Sequence, residues 1–271
     1  MKFALCNEMF EGRSMAEVCS AAKRLGYDGI EIAPFTLAGS ADEVSAGQRK
    51  EVRGIVEDSG LEVVGLHWLF AGPSGLHIAT TDDAMWGRTR DYLSCLLDLC
   101  SDLGGKVLVL GSPKQRSLVD GQTKEGAWKR AVDLLGSVLE KAATLGATIC
   151  LEPLSPVETD FINTVAEGME MVRQISHPNL RIHLDVKAMC SEGTPVADII
   201  RSVRAEDIGH FHVNDANLYG PGMGDVDYGP IAEAIKDIGW DRWLSVEVFK
   251  YDPDPETIAE KSIAYLRKFW A

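Results

Sequence analysis

Eight short apolar runs recur along the chain, each separated from the next by room for about one helix. They are Lys2–Cys6, Gly29–Ile32, Glu62–His67, Lys106–Leu110, Thr148–Leu151, Arg181–Leu184, Gly209–Val213 and Trp243–Val248. Most are short and apolar enough for strands covered on both faces, as in parallel sheets. Helical periodicity fills the gaps. Leu93, Leu96, Leu97, Cys100 and Leu103 share one face. So do Trp128, Val132, Leu135, Leu139 and Ala142, and again Ala259, Ile263, Leu266 and Trp270. The turns LGYDG, DSGLEV, DLGGKV, TLGATI and DIGWDR each place Gly just after a helical pattern, where a left-handed C-cap is wanted. Eight such units predict an α/β fold, a single (β/α)8 TIM barrel spanning 1–271 as one domain. An open doubly wound sheet is the alternative, but no Gly-x-Gly-x-x-Gly follows the first strand.

Charge narrows the function. Lys and Arg total 27 against 41 Asp and Glu, a net charge of −14. That disfavours nucleic acid and anionic membrane surfaces as partners, since both select basic stripes. No apolar run approaches the length of a membrane span. The N-terminus MKFALCNEMFEGR is too short and too polar for a signal peptide. The six cysteines form no C-x-x-C pair and read as buried reduced thiols, so the expected location is cytoplasmic.

In a parallel barrel, chemistry belongs where strands end and helices have not begun. Glu152, Asp185, His212 and Glu247 each close one of four successive strand runs, spaced by 33, 27 and 35 residues. Like charges gathered at a barrel mouth repel and resist desolvation unless a cation neutralises them. Three carboxylates and one imidazole, without thiolate, suit one divalent cation, with Mn2+ expected first and Mg2+ or Co2+ as alternatives. His183 and His210 lie two residues before proposed ligands, so strand period faces them into the barrel below. Hydrogen bonding there is expected of them rather than ligation.

The motifs LEP, Glu158-Thr159, Asn163-Thr164, HLD, GHFHVNDAN, PGMG and VEVF carry a resemblance. The chain resembles, over nearly its whole length, the xylose-isomerase-like barrels of the sugar isomerase and epimerase family, most nearly the D-tagatose and D-psicose 3-epimerases. That resemblance implies metal ligands at Glu152, Asp185, His212 and Glu247, with Glu152 and Glu247 doubling as catalytic acid/base groups. It implies a substrate contact at Glu158, a small-molecule sugar as partner, and a homo-oligomer, dimer or tetramer. The epimerases carry a His where this chain has Ala188 and an Arg where it has Leu218. Both hold substrate oxygens, so their loss bears on specificity rather than on the metal.

Other groups are expected to line the mouth: Lys114 and Arg116 after the fourth strand, to receive a phosphate or carboxylate; Lys187; and His67 and Trp68 as a pocket wall. Pro221-Gly222-Met223-Gly224 is expected to approach the substrate. The activity expected is epimerisation or isomerisation of a keto-sugar through an enediolate. A lyase or dehydratase acting on a keto-inositol or 3-keto-glycoside is the rival. An abasic-site endonuclease and a non-catalytic sugar binder rank below.

Overall fold

The computed structural model describes residues 1–270. Its eight strands are β1 (Lys2–Cys6), β2 (Gly29–Ile32), β3 (Glu62–Leu66), β4 (Val107–Leu110), β5 (Thr148–Leu151), β6 (Leu180–Asp185), β7 (Ile208–Val213) and β8 (Trp243–Val246). They close into one parallel barrel in chain order, β8 returning to β1. The strands run within one residue of the sequence expectation at each end, except that β8 stops at Val246, two residues early, leaving Glu247 just past it.

The outer layer comprises α1 (Met15–Leu25), α2 (Ala46–Asp58), α3 (Asp83–Asp102), α4 (Lys124–Gly136), α5 (Leu139–Leu145), α6 (Val165–Ile175), α7 (Val186–Met189), α8 (Val196–Arg201), α9 (Tyr228–Asp237) and α10 (Pro255–Leu266). Ser14 and Glu17 form a capping box at the start of α1, and Gly26 ends it in the left-handed region at φ 91°. One departure concerns the stripe from Trp128 to Ala142, expected as one helix. It breaks between α4 and α5 at Ser137–Val138, after Gly136, a poor helix former.

The apolar core lies between barrel and helices, where Phe211 of β7 meets Trp240 edge to face at 5.3 Å. Barrel interiors are usually filled by branched apolar side chains. This one holds Glu31, His67, His183, His210 and Ser245, each at most 1% exposed. Register explains how they meet: His183 pairs with His210, and Asp185 with His212, across β6 and β7.

Candidate active site

The four strand-end residues converge. Donor atoms of Glu152, Asp185 and His212, together with one from His183, lie within 4.8 Å of one another. Glu247 joins through His212, whose Nδ1 is 3.0 Å from Glu247 Oε2. Asp185 caps α7, its Oδ1 accepting from the Ala188 amide at 2.7 Å, while Oδ2 accepts from Asn214 Nδ2 at 2.6 Å. Trp68 Nε1 donates to Glu247 Oε1 at 2.9 Å. Trp68 holds this position in the left-handed backbone region, φ 50°, unusual for a bulky residue and found where surrounding structure enforces it.

Electrostatics divide the two glutamates. Burial, then the charges of Glu247 and Asp185, push the Glu152 carboxyl up to about 8. Burial also opposes ionisation of Glu247, but the His212 imidazole, its hydrogen bond, and His67 and Lys187 outweigh it and pull that carboxyl down to about 2. Asp185 is raised by burial, with Lys187 counteracting. The residues fit a divalent cation. Without one, Glu152 relieves the crowding by keeping a proton, and both ring nitrogens of His183 are buried without a protein partner.

Beneath lies the layer expected to hold His183 and His210, with two acids the sequence reading missed. Glu31 of β2, fully buried, meets His210 Nε2 at 2.8 Å through Oε2 and His212 Nε2 at 3.1 Å through Oε1. Glu8, also buried, meets His67 Nε2 at 2.6 Å. Both acids stand in otherwise apolar stretches, ALCNEMF and GIEI, and that interruption was the only sign of them in the sequence. His210 is hydrogen-bonded as expected. His183 is not, and stands among the possible ligands instead.

A cavity of about 660 Å3 opens over the carboxylates; Glu152, Glu247, Glu158, Lys187, Trp68 and Phe249 are among its walls. Lys187 Nζ lies 2.9 Å from Glu158 Oε1 and 4.0 Å from the centre of the Phe249 ring, which stacks on Trp68. His67 and Lys114 also face the cavity. Arg116 does not. Its guanidinium is fully buried, donating to the carbonyls of Glu152 at 2.7 Å and Leu110 at 2.6 Å, so it braces the ends of β4 and β5 rather than meeting a substrate anion. The Pro221–Gly224 turn is likewise turned away, against Tyr265 of α10 and Asp215.

An eight-stranded parallel barrel with acids and imidazoles gathered at the strand ends is the architecture of barrel enzymes whose chemistry sits at that mouth. The profile of the xylose isomerase-like TIM barrel family matches residues 19–269, and the chain belongs to that family. Among relatives, the D-psicose 3-epimerase of Ruminiclostridium cellulolyticum is 28% identical over 232 residues, covering 83% of this chain and 75% of that one. The 3-dehydro-D-guloside 4-epimerase of Escherichia coli is 24% identical over 273 residues, covering 98% and 99%. A crystal structure of D-psicose 3-epimerase in the presence of D-fructose superposes with a TM-score of 0.87 at 23% identity, covering 99% of both chains, which supports the fold. No helix among the described residues is long and apolar enough to cross a membrane.

Proposed function

We propose that the chain is a divalent-metal-dependent epimerase of a keto-sugar or keto-sugar derivative, with Glu152, Asp185, His212 and Glu247 holding the ion, Mn2+ first. The observation that carries the reading is geometric: donor atoms of Glu152, Asp185 and His212 lie within 4.8 Å of one another, and Glu247 Oε2 lies 3.0 Å from His212 Nδ1, with Glu152 and Glu247 both walling one cavity. Two carboxylates facing one cavity suit opposed acid and base roles. When bound, the cation would polarise the substrate carbonyl and adjacent hydroxyl, acidify the C–H between them, and replace the proton on Glu152.

Glu247, kept ionised by the His212 imidazole and oriented by the Trp68 N–H, would take a proton on one side of the carbon and release it to solvent. Glu152, protonated from solvent water once the enediolate forms, would deliver one on the other side. Lys187 and Glu158, already paired, offer a donor and an acceptor to substrate hydroxyls. Trp68 and Phe249 supply aromatic faces to the sugar ring. The curated relatives, acting on D-psicose and on 3-dehydro-D-guloside, support proton chemistry beside a carbonyl. The second of them, with the size of the cavity, favours a 3-keto-glycoside as second reading of the substrate.

The test is a panel of ketoses, ketose phosphates and 3-keto-glycosides in D2O with Mn2+. Epimerisation gives an epimer labelled at the carbon beside the carbonyl. Elimination gives an absorbing enone and supports the lyase instead. A turned-over product without solvent deuterium refutes proton transfer altogether.

A further inference from the structure

Glu31 does not line the cavity, yet it is a fully buried carboxylate whose close polar partners are imidazoles. Burying a charge is costly unless it is paired and hydrogen-bonded. The geometry of Glu31 supplies both. A carboxylate only accepts, so each imidazole nitrogen facing it carries the hydrogen. Oε2 fixes His210 through Nε2 at 2.8 Å, and Ser245 Oγ, 3.0 Å from that nitrogen, completes the clamp. Oε1 faces His212 Nε2 at 3.1 Å. The proton of a neutral His212 then resides on Nε2. The lone pair of Nδ1 points to the opposite side, where Glu247 Oε2 lies at 3.0 Å.

We propose that Glu31 is the positioning residue of the metal site: it selects the Nε2–H form of His212, presents Nδ1 as the ligand atom, and with His210 fixes the ring plane. This rests on the metal centre proposed above and adds an assignment to a strand, β2, that contributes no ligand to it. Outer partners of ligating histidines typically govern metal affinity by 10–100-fold.

Glu31→Gln keeps shape and volume but offers His212 either an oxygen or an NH2 group, so the tautomer is no longer dictated. Metal-stripped wild type and variant are titrated calorimetrically with Mn2+, and 15N-histidine spectra are recorded on the Mg2+-loaded proteins, with thermal unfolding of both as the folding control. Expected are a Kd for Mn2+ weaker by about 10–100-fold in the variant, a wild-type His212 protonated at Nε2, and a mixed or inverted His212 signal in the variant. Equal Kd values in folded proteins overturn the proposal. So does a loaded wild type whose His212 is protonated at Nδ1, whatever the variant does. If Glu31→Gln does not fold, Glu31→Asp carries the same test, keeping the charge but losing the reach to both rings; wild-type affinity there also overturns it. A wild type that binds no divalent ion refutes the metal reading itself, a result separable from equal affinity in both proteins.

Discussion

Gly111 offers a sharp test of whether the position of Glu152 matters to the chemistry. It follows β4 directly and lines the cavity. A Cβ added there would lie 2.1 Å from Glu152 Oε2 and 3.2 Å from its Cδ, with the next atom, Leu154 Cδ2, at 3.8 Å. A relaxed carbon–oxygen contact needs more than about 1 Å of extra separation, since favourable separations between heavy atoms run to roughly 3.5–4.0 Å between carbons. The obstruction is the end of a side chain, not backbone, and Gly111 has no positive φ to defend. Gly111→Ala should therefore fold, with an unfolding free energy within about 1 kcal/mol of wild type, as for substitutions that create neither cavity nor buried orphan. What yields is the Glu152 carboxylate. Displacing a catalytic group by about 1 Å costs on the order of a hundredfold in rate. The assay is deuterium incorporation in D2O with whichever keto-sugar the panel identifies, run beside thermal unfolding. A well-folded Gly111→Ala enzyme within threefold of wild-type kcat would refute the idea that this carboxylate must stand where it does.

Further outcomes follow from the same geometry. Glu152→Gln and Glu247→Gln should each retain measurable Mn2+ binding by calorimetry and lose about a thousandfold in turnover, the worth of a positioned acid/base group; a variant that keeps wild-type turnover removes that residue from proton transfer. Arg116→Met should lower stability by about 3–5 kcal/mol in denaturant unfolding, because two charged hydrogen bonds of about 1.5–3 kcal/mol each are lost and the Glu152 carbonyl loses its donor, while the Leu110 carbonyl keeps the Glu152 amide; unchanged stability would contradict its role as a brace. Lys114→Ala should raise KM about tenfold for a phosphorylated or carboxylated keto-sugar and leave a neutral one unchanged, and equal effects on both would place Lys114 outside the contact. The metal-free protein should lose stability between pH 6.5 and 8: Glu152 keeps its proton up to about 8 when folded but loses it near 4.5 when unfolded, so the folded state binds more protons across that window and stability falls as pH rises, on the order of 2 kcal/mol from this group. Saturating Mn2+ should remove that slope in thermal unfolding, and a slope unchanged by metal would argue against Glu152 as a ligand.

The barrel was legible because its evidence is local: each apolar run and each glycine turn can be read without knowing its neighbours. The same holds for Glu152, Asp185, His212 and Glu247, whose meaning comes from standing at strand ends in consecutive units. What the sequence hid depends on closure. Glu31 meets His212 from 181 residues away, and Trp68 reaches Glu247 across 179. A glutamate inside a four-residue strand looks the same whether it faces solvent or the barrel axis, and only the pairing of Cys6 with Glu31 and of β8 with β1 turns it inward. Arg116 misled for a related reason. A cation in a mouth loop reads as a ligand group, but two carbonyls at the ends of β4 and β5 claim its donors first. The helix break after Gly136 lay within an unbroken apolar stripe, so periodicity passed over it.

The vertical arrangement of charge ties these observations together. In the lower layer each acid has its imidazole: Glu8 with His67, and Glu31 with His210 and His212. Glu31 is accordingly held well below the usual carboxylate range, His210 and His212 outweighing its burial. The upper layer does not balance in this way. Glu152, Asp185 and Glu247 share His212, already engaged from below, and Lys187, already paired with Glu158, while Arg116 is turned onto carbonyls. Three buried acids with so little positive charge to themselves settle by leaving Glu152 protonated. A divalent cation seated among them resolves the same imbalance without a proton, and it leaves Glu152 free to exchange one with a substrate. On this argument the lower layer holds the His212 ring by its hydrogen bonds, and the charge deficit of the upper layer is what the proposed cation would neutralise.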